Sequence, residues 1–153
     1  MKPRKNSIIA VLLLLLAVLP MTALAGERKD ITPQEAQQLL QTEDIFLLDV
    51  RTPWEYRRGA IKGAHLIPIY RFREHEKEIP TDKPVLVYCA VGGRSLPVAD
   101  YLAKKGVTTY NLRDGLVAWQ RQGLPLVTPN SNETDSSVPE RNYDIFCIVE
   151  TAS

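Results

Sequence analysis

The residues best suited to chemistry lie in one short stretch, Val85-Leu86-Val87-Tyr88-Cys89-Ala90-Val91-Gly92-Gly93-Arg94-Ser95. An apolar run ends at Cys89, a glycine-rich turn follows, and Ser95 opens a helix-like segment. A thiol there projects from the end of a buried strand towards the backbone N–H groups of Ala90, Val91, Gly92, Gly93, Arg94 and Ser95. Successive N–H groups in a tight turn make an anion-binding concavity. A helix N-terminus and a nearby arginine both lower a thiol pKa, and the thiolate is the reactive form. Arg94 adds a permanent charge with a fork suited to an oxyanion. The stretch predicts a nucleophilic thiolate that meets a negatively charged partner.

Other nucleophile chemistries are poorly supplied. The two histidines, His65 and His75, fall in a short extended piece and a charged segment, so the expectation is a thiol that ionises without a histidine base. Two cysteines and two histidines scattered along the chain lack metal-ligand spacing, and no metal or cofactor is expected. A Cys89–Cys147 disulfide is the alternative for the cysteines, since these are the only two. The context of Cys89 favours a reactive thiol, and Cys147 is read as a spare cysteine in a tail, with a resolving thiol for Cys89 as the alternative.

The elements that must position Cys89 can be read in order. Thr32-Pro33-Gln34-Glu35 supplies an N-cap, an N1 proline and an N3 glutamate, a capping box for a helix carrying Ala36, Leu39 and Leu40. Ile45-Phe46-Leu47-Leu48-Asp49-Val50 is a short continuous apolar run, as in a strand buried on both faces. Thr52-Pro53-Trp54-Glu55 repeats the cap for a short helix ending near Gly59. Residues 61–69 hold a short extended piece around Ala64-His65-Leu66, and residues 71–78 an exposed helix stopped by Pro80. Val85-Leu86-Val87-Tyr88 is the second strong strand. Ser95 is read as the N-cap of a helix over residues 96–105, ended by Gly106. A weaker strand spans residues 107–112, and Asp114 is read as the cap of a helix running through Trp119. Alternating strands and helices predict an α/β fold with a mostly parallel sheet. Ligands bind beyond the carboxyl ends of such strands, which is where Cys89 falls.

The chain of 153 residues allows one domain with a proper core. A net charge of +1 gives no argument for nucleic-acid binding. Lys2, Arg4 and Lys5 precede an apolar run over residues 8–19, and Ala23-Leu24-Ala25 offers a small-residue cleavage site. The run is shorter than the about 20 residues that span a bilayer. Residues 1–25 are therefore read as a signal peptide cleaved after Ala25, with the mature protein periplasmic or secreted and without a stable membrane anchor. Residues 26–127 form the domain. Residues 128–153 are read as a polar, poorly ordered linker and a tail containing Tyr143-Asp144-Ile145-Phe146-Cys147-Ile148-Val149.

Several segments together resemble the rhodanese-like domain family. Leu47-Leu48-Asp49-Val50-Arg51, Glu55-Tyr56, Gly59, Gly63-Ala64 and Ile67-Pro68 look like its N-terminal signature. Residues 88–95 are similar to its active-site loop, and Gly115, Ala118-Trp119 and Gly123-Leu124-Pro125 match its closing pattern. The chain departs at Ala60, where the family often has histidine, and at Asp114-Gly115, where it has paired glycines. The resemblance implies a five-stranded, mostly parallel sheet flanked by helices on both faces. It implies sulfurtransferase chemistry through a persulfide on Cys89, with residues 90–94 as the cradle and Asp49 and Arg51 as supports. The expected partners are a small anionic sulfur donor such as thiosulfate and a thiol or cyanide acceptor.

Two alternatives stay open. One is a non-enzymatic module or protein-to-protein sulfur carrier. The other is a phosphatase or arsenate reductase, which the same fold hosts with five residues between cysteine and arginine. Four residues separate Cys89 from Arg94 here, a smaller cradle suited to a single sulfur.

Overall fold

A computed structural model of the chain describes residues 26–129. The signal segment, residues 130–153 and Cys147 lie outside the described residues. Five strands form one sheet: β1 (Arg28–Ile31), β2 (Phe46–Asp49), β3 (His65–Leu66), β4 (Val85–Tyr88) and β5 (Thr109–Leu112). Their order is β1-β5-β4-β2-β3, and every pairing is parallel. The α/β expectation with a five-stranded parallel sheet is met.

Five α-helices connect the strands: α1 (Pro33–Thr42), α2 (Pro53–Arg57), α3 (Phe72–His75), α4 (Ser95–Lys104) and α5 (Gly115–Arg121). Both sequence-read capping boxes form, with Glu35 closing on Thr32 and Glu55 closing on Thr52. In the charged segment only residues 72–75 are α-helical, between two 3-10 turns, and Phe72 is buried rather than exposed. β1 had no counterpart among the strands read residue by residue. Its sequence, Arg-Lys-Asp-Ile, buries only Ile31 and lies at the sheet edge, so no apolar run marks it.

Strand periodicity divides the core into two layers. Leu48, Val50, Val85, Val87 and Cys89 pack with Phe72, Val98, Ala99 and Leu102, on the side of α3 and α4. Leu47, Leu86 and Tyr88 pack with Ile31, Ala36, Leu116 and Trp119, on the side of α1 and α5. The alternation Val85, Val87, Cys89 therefore turns the thiol to the face carrying α4. The same β4 residues that fill the core fix the direction of the sulfur.

Candidate active site

β4 ends at Tyr88, and Cys89 is a buried free thiol at its carboxyl end. The chain then turns back through residues 90–94 into α4. The Gly92 N–H donates to Cys89 Sγ at 3.1 Å. Gly92 takes a positive φ of 89°, a conformation glycine adopts without a Cβ clash. Gly93 does not share that conformation, so the turn spends its glycine freedom at one position.

Burial pushes the Cys89 thiol up, but the opposing contacts outweigh it and the thiol sits below its ordinary value. The Ser95 hydroxyl is foremost among these, followed by the backbone N–H groups of Ser95, Arg94 and Val91. The expectation about this helix start is corrected. Ser95 is the first residue of α4 and Arg94 is the N-cap, with no side-chain cap bond. The Ser95 hydroxyl donates to the Gly92 carbonyl at 3.1 Å, which ties the helix start to the turn, and its single proton turns to the sulfur when Cys89 ionises. Asp114 is the N-cap of α5, as read from the sequence, but it makes no side-chain cap bond, and it sits in the left-handed region at φ 60°. Aspartate tolerates that region better than most residues, which lets it stand where the family pattern has glycine.

The loop is clamped from behind by α5. Leu116 N–H donates to the Cys89 carbonyl at 2.8 Å, and Val117 N–H to the Ala90 carbonyl at 3.0 Å. A Cβ on Gly115 would lie 2.5 Å from the Cys89 carbonyl oxygen and 2.6 Å from Ala90 backbone atoms. Glycine is required there for the helix to come this close.

Arg94 is not the unpaired rim charge that the loop sequence suggests. Its Nη1 donates to Glu55 Oε2 at 2.8 Å and its Nη2 to Glu55 Oε1 at 2.5 Å. Glu55 Oε2 also accepts from Thr52 N–H at 2.9 Å and Thr52 Oγ1 at 2.8 Å. The arginine, aided by the Thr52 bonds and against partial burial, holds the Glu55 carboxyl at about 2. Glu55 thus closes the N-terminus of α2 and anchors the arginine of the cysteine loop. Sequence reasoning missed this second role because the capping box already accounted for the carboxylate.

A second ionic contact supports the site from below. Arg51 Nε and Nη2 donate to Asp49 at 2.9 and 2.6 Å, and both side chains are buried. Arg51 also donates to the carbonyls of Gly59 (2.8 Å) and Glu55 (3.3 Å). Burial alone would lower the Arg51 pKa, but its bonds to Asp49 leave it raised. Arg51 thereby ties the end of β2 to the middle of α2 and to the chain just beyond it, and so helps to hold Glu55 in place.

The other singled-out residues stand apart. His65 stacks on Phe46 with ring centroids 4.5 Å apart, on a strand separated from β4 by β2. His75 Nδ1 lies 2.7 Å from Glu78. Among the described residues, no group of histidine, cysteine and acidic side chains could hold a metal ion, and no helix is long and apolar enough to cross a membrane.

Comparison with known proteins agrees with the geometry. The family model for the rhodanese-like domain matches residues 32–122. The chain belongs to the rhodanese-like domain family. A protein named sulfurtransferase from Allochromatium vinosum is 42% identical over 95 residues, covering 61% of this chain and 89% of its own. A thiosulfate sulfurtransferase GlpE from Actinobacillus succinogenes is 35% identical over 100 residues, covering 65% and 90%. Among solved structures, a rhodanese-related protein from Thermoplasma volcanium superposes with a TM-score of 0.62 at 30% identity, covering 66% of this chain and 99% of its own. A rhodanese-like domain protein from Staphylococcus aureus gives 0.60 at 30% identity, covering 67% and 99%. Within this rhodanese-like domain, the Cys89 loop occupies the carboxyl end of the sheet, between α4 and α5.

Proposed function

We propose that the protein is a sulfurtransferase that moves a sulfane sulfur from thiosulfate, or a similar anionic donor, to a thiophilic acceptor. The observation that carries this reading is the buried Cys89 sulfur set in a turn of backbone donors, with Gly92 N–H 3.1 Å away. The sulfurtransferases of similar sequence support it. The Cys89 thiolate attacks the outer sulfur of thiosulfate. The S–S bond of the donor breaks, sulfite leaves with the electron pair, and Cys89 carries a persulfide. An acceptor such as cyanide or a thiol then attacks the outer sulfur and returns Cys89 to the thiolate, a double displacement. The loop N–H groups hold the anion at each stage. With Arg94 bound to Glu55, these donors rather than an unpaired guanidinium meet the donor's charge. The four-residue spacing between Cys89 and Arg94 leaves room for one added sulfur and favours this chemistry over phosphoryl transfer. The exported location remains part of the proposal, carried by the N-terminal sequence alone.

Intact-mass measurement before and after thiosulfate, without reductant, tests the reading. The expected result is a gain of one sulfur on Cys89 that cyanide removes. Cys89→Ser should lose turnover while keeping its unfolding midpoint, and turnover retained in that variant would overturn the assignment.

A further inference from the structure

Among the described residues, four of the five exposed large apolar side chains lie at the carboxyl end of the sheet, the end at which Cys89 sits. Trp54 is 61% exposed in the first turn of α2, next to the glutamate that holds Arg94. Tyr70 follows β3, Val91 is in the cysteine loop at 66%, and Leu96 is in the first turn of α4. A small hydrated anion gains nothing from an apolar rim, so the rim calls for a larger occupant. The fifth such residue, Val127, is where the described chain leaves the domain. It pairs with Ala60 just beyond α2, on the α2 side of the molecule.

The rest of the chain has matching chemistry. Residues 143–149, Tyr-Asp-Ile-Phe-Cys-Ile-Val, form an apolar segment with Cys147 near its centre. Residues 130–153 carry five acidic side chains and one arginine. The arginines Arg57, Arg58 and Arg113 are exposed, with Arg58 stacked 4.6 Å over the Trp54 ring and Arg113 directly after β5. A flexible-linker estimate over the 18 steps from Pro129 to Cys147 gives a reach of about 23 Å. A tether of that length gives a local thiol concentration in the millimolar range.

Resting on the sulfur-transfer reading above, we propose that residues 143–149 dock on this rim and that Cys147 is the first acceptor of the sulfane sulfur. The Cys147 thiolate attacks the outer sulfur of the Cys89 persulfide. The bond to Cys89 breaks, a new S–S bond forms at Cys147, and the electron pair returns to Cys89 as the thiolate that the loop N–H groups hold. The outer sulfur, which received no proton when thiosulfate loaded it, carries its negative charge to Cys147, and nothing is oxidised or reduced overall. The tail then presents the sulfur to thiols too large to enter the loop.

The test loads the full chain with less than one equivalent of thiosulfate, quenches it at intervals by alkylation and maps the added sulfur. Sulfur is expected first on Cys89 and then on Cys147, at a rate independent of protein concentration. Cys147→Ser should keep the sulfur on Cys89. Trp54→Ser and, separately, Phe146→Ser should each slow the second step by about tenfold, as loss of a docked aromatic does, with loading of Cys89 unchanged. Sulfur that stays on Cys89 while Cys147 remains bare would overturn the tail's role and leave the sulfurtransferase reading standing. Sulfur on neither cysteine would overturn both. A second step proportional to protein concentration would assign the rim to the tail of a second copy, and normal rates in both aromatic variants would remove the rim as a docking surface.

Discussion

Replacing Glu55 with glutamine separates charge from shape at the junction of α2 and the cysteine loop. Glutamine also serves at N3 of a capping box, so the helix start survives while the ion pair with Arg94 is lost. The Glu55 carboxyl titrates at about 2 against an ordinary 4.5, with the Arg94 bonds as the leading cause. At about 1.4 kcal/mol per unit that difference corresponds to about 3 kcal/mol. The two side chains are 23% and 35% exposed, and solvent screening brings the working figure to about 1.5 kcal/mol. With a urea m-value of about 1.5 kcal/mol/M, Glu55→Gln should lower the pH 7 unfolding midpoint by about 1 M. The pH dependence identifies the origin of the loss. A depressed carboxyl stabilises the fold fully above its unfolded value of 4.5, and that contribution disappears as pH falls towards 2. The gap between native protein and variant should therefore shrink to roughly half by pH 3. Equal midpoints at pH 7, or a gap that stays constant from pH 7 to pH 3, would refute the argument and assign the site's rigidity to packing.

Gly115→Ala should destabilise by at least about 2 kcal/mol, because the new methyl has no room against the Cys89 and Ala90 backbone; thermal unfolding measures it. Asp49→Ala leaves the Arg51 guanidinium buried without its carboxylate and should cost about 3–5 kcal/mol in urea unfolding. Ser95→Ala removes the strongest hydrogen-bonding influence that lowers the Cys89 thiol. Its thiol pKa should rise, the thiolate fraction at pH 7 should fall, and alkylation by iodoacetamide should slow several-fold. An unchanged rate–pH curve would mean that the backbone N–H groups alone set the thiol.

The parts of the fold legible in the sequence are those governed by local rules. Thr32 with Glu35, and Thr52 with Glu55, announce two helix starts because both halves of a capping box lie three residues apart. Leu47-Leu48 and Leu86-Val87 mark β2 and β4 because a strand covered on both faces needs an apolar residue at every position. β1 gave no such signal, since an edge strand with one buried side chain is composed like a loop. The setting of the Cys89 thiol was equally legible, because a strand end, a glycine turn and a helix start are contiguous in the chain. What contiguity did not reveal was the helix-start detail at Ser95, whose hydroxyl is claimed by the turn it follows.

The larger gap concerns Arg94. Its sequence neighbours are uncharged, so by local reasoning its guanidinium faces an incoming anion. Its partner is 39 residues earlier, and that partner has already been assigned a duty. A carboxylate has more acceptor sites than a capping box uses: Oε2 serves both Thr52 and Arg94, and Oε1 is left for Arg94 alone. The consequence reaches the chemistry. Arg94 also reaches the Cys89 sulfur, but an arginine paired with a carboxylate contributes little net charge to donor attraction, so on the proposed reading the backbone N–H groups carry most of the anion's charge. Salt should then weaken thiosulfate use in the native protein only modestly. In Glu55→Gln, where Arg94 is released, thiosulfate use should rise at low ionic strength and fall back as salt is added. A native enzyme already strongly salt-sensitive would show that the guanidinium, and not the turn, meets the donor.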